Sequence, residues 1–161
     1  MSFDKSHLRS AILTQLHAEL ALQTRAAQLA RDEATHEEGR AESKYDTHSQ
    51  EAAYLAEGQA RLAADIEAGI ALYTSLPLPD FSASDQIALG AIIELRAGTR
   101  STWYFLGPRA GGLELTAEGK TILVVTPQSP LGRQLLGRRV GDAVHPPGRG
   151  ISIPHRVASV A

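Results

Sequence analysis

Acidic side chains cluster in one short polar segment, THEEGRAESKYD at residues 35–46. Glu37 and Glu38 precede Gly39, and Glu42 and Asp46 follow it. Clustered carboxylates repel one another and favour a nearby cation, and Mg²⁺ prefers carboxylate and water oxygens as its ligands. Two or three of these groups aimed at one point could complete the shell of an ion already bound elsewhere. The alternative is a polar turn whose charge only keeps it soluble.

The same segment contains two bases, Arg40 and Lys44, together with Tyr45, and these side chains would modulate any cation bound by the acids. His36 lies near the start of this segment and His48 just after its end, but they lack the tight spacing of zinc ligands, so we interpret them as surface residues. The chain has no cysteine, which excludes disulfides and thiolate metal sites.

Two helix-patterned stretches of nearly equal length, about 29 residues each and therefore roughly 43 Å long, enclose the acidic segment. In the first stretch, apolar residues recur on one broad face: Leu8, Ile12, Leu13, Leu16, Leu20, Leu22, Ala27 and Leu29. In the second stretch, spacings of four and three form a heptad seam: Leu55, Gln59, Leu62, Ile66, Gly69 and Tyr73. The pattern predicts an antiparallel coiled-coil hairpin with the acidic segment at its tip.

The composition of the chain changes after Ser75. All eight prolines and 11 of the 14 glycines follow it. Residues 1–75 hold 12 acidic against 7 basic residues, whereas residues 76–161 hold 6 against 9. Because prolines at 77 and 79 stop a helix, we predict a hairpin at 1–76 with its tip near 35–46, a linker at 77–83 and a globular domain at 84–161.

Alternating apolar residues from Ile87 to Leu95 predict a first strand in the second domain, and 102–106 and 121–125 predict two more. A short segment at 113–115 is expected to pair with the strand at 102–106. Ser129 can cap a short helix that starts at Pro130 and ends at Gly137. The pattern predicts a small antiparallel sheet wrapped on one short helix, which makes the chain α+β in class.

Several function classes are excluded or disfavoured. The glycines lack the spacing of a phosphate loop, and neither a GxSxG motif nor a cysteine nucleophile is present, so no self-contained active site is visible. A net charge of −2 and few aromatic residues disfavour a nucleic-acid platform. The chain has no signal-peptide pattern and no run of 18 apolar residues. We expect a cytoplasmic monomer that is not an enzyme and does not bind membranes.

The segment VVTPQSPLGRQLLGRRVGDAV at residues 124–144 resembles the C-terminal signature of the bacterial Gre transcript-cleavage and elongation factors. In that family a strand leads into Ser-Pro-(Ile/Leu), a short helix, a glycine and a Val-Gly-Asp-x-Val turn. The domain order is also similar, because a coiled-coil hairpin precedes an FKBP-like domain there.

The resemblance implies a partner and a mechanism. Such factors bind bacterial RNA polymerase through the globular domain and insert the hairpin into the secondary channel, where the tip can contact the RNA 3′ end. Tip carboxylates, here Glu37, Glu38, Glu42 and Asp46, then help to hold a second Mg²⁺ of the polymerase site, which activates the water that cleaves backtracked RNA. The implied factor has no cofactor of its own. For docking, the candidates are Ser129, Pro130, Leu131, Arg133, Arg138 and Arg139; the arginines could equally form a solvated basic face.

The tip departs from the family pattern. The cleavage-competent tip resembles Gly-Asp-x-x-Glu-Asn-x-Glu-Tyr, whereas residues 39–45 read GRAESKY, so Arg40 stands where the first acid would be. A channel-binding regulator that inhibits or tunes the polymerase without stimulating cleavage is therefore an alternative. A prolyl isomerase with a coiled-coil arm is a third possibility, but it needs an aromatic-lined pocket, which three Phe and one Trp supply poorly.

Overall fold

The computed structural model describes residues 2–38, 47–148, 150 and 152–161. The helices of this part of the chain are α1 (Lys5–Glu38), α2 (Thr47–Thr74) and α3 (Pro130–Leu135). Its strands are β1 (Ile92–Ala97), β2 (Arg100–Leu106), β3 (Glu114–Ala117), β4 (Lys120–Val125), β5 (Ala143–Val144) and β6 (His155–Val160). Two long helices followed by a sheet with one short helix confirm the predicted α+β class.

Contacts divide the chain into two compact units. The hairpin unit is Thr14–Ala71, and the sheet unit combines Met1–Leu13 with Leu72–Ala161. The first turns of α1 and the last residues of α2 therefore belong to the sheet unit. The predicted boundaries assigned all of residues 1–76 to the hairpin, whereas the contacts assign residues 1–13 and 72–76 to the sheet unit.

The hairpin unit buries a seam of small side chains. α1 has 34 residues and α2 has 28, close to the predicted lengths. The buried apolar residues of this unit are Leu16, Ala27, Ala30 and Ala56. On α2 the half-buried Gln59, Ala63 and Ile66 continue the line at spacings of three and four. The seam is therefore rich in alanine.

Four leucines that the sequence pattern assigned to the helix interface are exposed instead. Leu22, Leu29, Leu55 and Leu62 are 65%, 62%, 58% and 50% exposed. The prediction was wrong for a physical reason: the row one residue later, formed by Gln23, Ala30, Ala56 and Ala63, has the same seven-residue repeat, and this row is the one that is partly or fully buried. Gln59, Ile66 and Tyr73 of the predicted seam are at least half-buried.

The six strands form one sheet in the order β3-β4-β2-β1-β6-β5. The prediction of an antiparallel sheet is wrong for one pair, because β2 and β4 run parallel, with Trp103 opposite Ile122. The chain leaves β2, forms β3 at the sheet edge and returns as β4 between them. For the same reason the segment expected to pair with β2 pairs with β4, with Leu115 opposite Ile122.

Each face of the sheet is covered. On one face the core includes strand residues Ile93, Leu95 and Leu106 together with Leu131 and Leu135 of α3. Side chains alternate along a strand, so the neighbours of these strand residues point to the opposite face. There the Phe3 ring lies 5.1 Å from the Trp103 ring, centroid to centroid.

The first turns of α1 hold the chain just after α2, both at Leu76 and in the segment predicted as a linker. Lys5 Nζ donates to the Pro79 carbonyl at 2.5 Å and lies 4.7 Å from the centroid of the Phe81 ring. Arg9 Nη1 donates to the Leu76 carbonyl at 3.2 Å. Burial lowers the pKa of Lys5. These contacts position the exit of α2 inside the sheet unit.

Candidate functional site

The segment 124–144 folds as one continuous element, in which β4 leads through a capped turn into α3 and then into β5. Ser129 is the N-cap of α3, and its Oγ accepts from the Gly132 N–H at 3.0 Å and donates to the Thr126 carbonyl at 2.8 Å. Pro130 occupies the start of the helix, where its missing N–H costs nothing. Both capping predictions are confirmed.

Two glycines are required in this element. A Cβ on Gly132 would overlap the backbone carbonyl of Thr126, so only glycine permits the tight turn before α3. Gly137 has a φ of +82°, the left-handed conformation that ends a helix, as predicted. The sequence therefore fixes both ends of α3.

The predicted docking residues divide into buried and exposed groups. Leu131 is 6% exposed and belongs to the core, so it offers no side chain to a partner. Pro130 and the three arginines are exposed on and after α3: Arg133, Arg138 and Arg139. We call these four exposed residues, with the half-buried Ser129, the α3 surface.

Backbone acceptors hold two of the arginines in place. Arg138 Nε donates to the Gln134 carbonyl at 3.2 Å. Arg139 Nη1 donates to the Ser84 carbonyl at 2.6 Å, and the Arg139 backbone N–H donates to the Asp142 carboxylate at 2.9 Å. A basic group with a fixed position loses less entropy on binding than a free one. The α3 surface is therefore a partly preorganised basic face.

A cleft of about 640 Å³ lies beside this element. Its lining comes from four separate segments of the sheet unit: Leu72, Leu89, Pro108, Arg109, Ala110, Thr126, Pro127 and Gln128. Tyr73 Oη, whose pKa is raised by burial, holds one wall by donating to the Arg109 carbonyl at 2.6 Å. This cleft could not be predicted from the sequence, because no single stretch of the chain contains all of its lining residues.

A second cavity of about 470 Å³ lies on the sheet. Trp103 and Tyr104 line it, but hydroxyl and charged groups dominate the rest: Ser101, Thr102, Glu114, Lys120 and Thr121, with Leu123. Lys120 Nζ also lies 4.7 Å from the centroid of the Trp103 ring. The cavity therefore combines aromatic, hydroxyl and charged side chains, and the isomerase alternative stays a prediction.

The buried carboxylate of Glu94 is hydrogen-bonded to its neighbours in the sheet. Glu94 is 8% exposed and accepts from Ser101 Oγ at 2.6 Å, Arg96 Nη2 at 2.8 Å and Ser159 Oγ at 3.2 Å. Burial alone would raise the pKa of Glu94, but the hydrogen bonds and the charge of Arg96 outweigh it and hold the pKa below its ordinary value of 4.5. This network stabilises the sheet.

The predicted tip falls mainly outside the described residues. Arg40, Glu42, Lys44, Tyr45 and Asp46 all lie there. Glu37 and Glu38 are the last two residues of α1, and only their backbone is described. Within the described residues, no group of three or more histidine or acidic side chains could hold a metal ion. The Mg²⁺ ligands of the tip stay a prediction.

Comparison with known proteins gives structural neighbours only. No family model and no curated protein matches the chain. The chain is similar to a crystal structure of GreA factor homolog 1 (Gfh1) of Thermus thermophilus, with 19% identity, coverage of 92% of this chain and 94% of that one, and a TM-score of 0.40. A structure of the transcription factor Gfh1 gives 22% identity, 92% coverage of both chains and a TM-score of 0.42. A crystal structure of Thermus aquaticus Gfh1 gives 20% identity, coverage of 91% of this chain and 92% of that one, and a TM-score of 0.39.

The fold class rests on the helices and strands of the chain itself. None of the helices in the described ranges combines the length and apolar character that a membrane span requires.

Proposed function

We propose that this protein is a Gre-like transcription elongation factor. It binds bacterial RNA polymerase, inserts its coiled coil into the secondary channel and modulates cleavage and rescue of backtracked complexes through its tip carboxylates. One observation carries the proposal. The Gre-like signature at 124–144 coincides with a single folded element, in which Ser129 caps α3, Pro130 starts it and Gly137 ends it.

Docking is assigned to the α3 surface. Its exposed arginines fit an acidic protein surface, since a basic patch attracts and orients such a partner. The cleft lined by Pro127 and Gln128 adjoins it and could receive an apolar side chain. Leu131 is left out of the docking surface because it is buried.

The tip would act by lending ligands. Glu37, Glu38, Glu42 and Asp46 would join the coordination of a Mg²⁺ shared with the polymerase site. Such an ion lowers the pKa of a bound water and so generates the nucleophile that cleaves RNA. In this account the protein is a cytoplasmic monomer, is not an enzyme and has no cofactor of its own.

Arg40 favours a second candidate, a channel-binding regulator that does not stimulate cleavage. A cation beside Mg²⁺ opposes metal binding by charge repulsion, and Arg40 occupies the place of the first acid in the Gre tip pattern. This regulator would slow nucleotide addition without shortening the RNA.

Equilibrium binding to bacterial RNA polymerase tests the shared part of both candidates. A labelled protein should bind, and Arg133→Glu with Arg138→Glu should weaken binding by about tenfold or more, since two basic contacts become repulsive. Arg100→Glu, which reverses one exposed charge at the start of β2 and outside the α3 surface, is the control and should bind as the wild type does. Failure of the wild type to bind would refute the proposal; equal weakening by the control would refute the α3 surface.

A further inference from the structure

The exposed leucines of the hairpin unit follow a rule. Leu22, Leu29, Leu55 and Leu62 each immediately precede a residue of the partly or fully buried seam. The seam residues that follow them are Gln23, Ala30, Ala56 and Ala63. We call the surface formed by the four leucines the leucine side.

Helix geometry places all four leucines on the same side of the hairpin. The residue before a seam residue is rotated by about 100° from it. In an antiparallel pair the chain runs away from the viewer in one helix and toward the viewer in the other. Moving one residue toward the N-terminus therefore rotates in opposite directions in the two helices, which brings both pairs of leucines to the same side of the hairpin. Leu22 and Leu29, like Leu55 and Leu62, are seven residues apart, which corresponds to about 10.5 Å along each helix.

Acidic residues border the leucine side. Side chains three or four positions from a leucine lie beside it on a helix surface. At those spacings the exposed charged residues are one base, Arg25, and five acids: Glu19, Asp32, Glu33, Glu51 and Asp65. The whole hairpin unit contains 11 acidic and 5 basic residues, so its field has the same sign.

This charge selects among the possible occupants of the leucine side. A second copy of the chain would place acidic borders against acidic borders, and a nucleic acid or an anionic membrane would also be repelled. An apolar patch with an acidic border fits a protein surface whose apolar side chains are bordered by lysine and arginine.

Building on the proposed function, we infer that the leucine side is a second docking surface, which packs against a basic-bordered apolar surface of RNA polymerase. The tip and the α3 surface do not account for it. The leucines are therefore kept exposed for a protein partner.

The test compares the wild type with a variant carrying Leu→Gln at positions 22, 29, 55 and 62. Glutamine has nearly the same helix propensity as leucine, so the helices should persist by circular dichroism. The variant should bind RNA polymerase about tenfold or more weakly. Ile153→Gln, which removes a 64% exposed apolar side chain from the sheet unit, is the control and should bind normally. Glu19→Lys with Glu51→Lys should also weaken binding, most strongly at low salt.

Each outcome decides between the claims. Normal binding by the four-leucine variant would overturn the leucine side while leaving the proposed function intact. Sedimentation of the wild type as a dimer that the leucine changes dissociate would overturn it in favour of a second copy as occupant. If the wild type did not bind RNA polymerase at all, both the inference and the proposed function would be overturned.

Discussion

The two units bury very different side chains. In the sheet unit, large residues such as Tyr73, Phe105 and Leu135 are fully buried. In the hairpin unit the buried apolar residues are mostly alanines, while four leucines remain half or more exposed. Hydrophobic stabilisation scales with the apolar area removed from water. The sheet unit therefore uses its large side chains for its own stability, whereas the hairpin leaves them available to a partner.

Truncating one large side chain in each unit should show this contrast most strongly. Phe105→Ala should cost about 3–5 kcal/mol, because it opens a cavity in a fully buried site. Leu55→Ala, at a 58% exposed site, should change the free energy of unfolding by less than about 0.5 kcal/mol. Trp103 on β2 is the one Trp of the chain, so its fluorescence reports unfolding of the sheet unit, and circular dichroism of the long helices reports unfolding of the hairpin unit. Equal losses in the two variants would contradict the contrast.

Glycine-to-alanine changes should act in opposite directions in the two units. Gly132→Ala should destabilise by roughly 3 kcal/mol, because the new Cβ overlaps the Thr126 carbonyl. Gly58→Ala lies within α2 with no atom within 4 Å of the new Cβ, so it should stabilise by about 0.5–1 kcal/mol. Urea titrations followed by circular dichroism would measure both. A destabilised Gly58→Ala variant would mean that α2 packs more tightly at this point.

The smallest expected effect depends on pH. The pKa of Glu94 in the folded protein is below its ordinary value of 4.5, so its stabilising contribution is present above that pH and is lost as pH falls through the folded value. Glu94→Gln should therefore be less stable than the wild type at neutral pH, and the difference should narrow in acid. Melting temperatures across this range would show it. Glu114→Gln removes an exposed carboxylate and serves as the control; a Glu94→Gln difference that stays constant with pH would refute the network.

Local sequence signals predicted local structure well. Ser129, Pro130 and Gly137 each carry a conformational preference that acts within a few residues, and all three occupy their predicted places. The parallel pairing of β2 with β4 could not be found in this way, because it depends on where the chain returns to the sheet. The prediction of the buried seam was wrong for a related reason. Two rows of residues have the same seven-residue repeat, and only packing decides which one is buried.

The candidate site was predictable to the same extent. The α3 surface follows from one continuous segment, so the positions of its arginines could be anticipated. The residue type of Leu131 could not show whether it is buried or contacts a partner, because an apolar side chain suits both roles. The neighbouring cleft joins residues as distant as Leu72 and Gln128, and only the fold brings them together.

The most direct test of the central claim is the length of RNA on a gel after this protein is added to backtracked bacterial RNA polymerase complexes with Mg²⁺. The account predicts shortened 3′ ends, and replacing Glu37, Glu38, Glu42 and Asp46 together by alanine should abolish the shortening. Slowed extension without shortening would instead identify the regulator, and Arg40 would be the first residue to replace. RNA that is neither shortened nor extended more slowly at saturating protein would contradict the account.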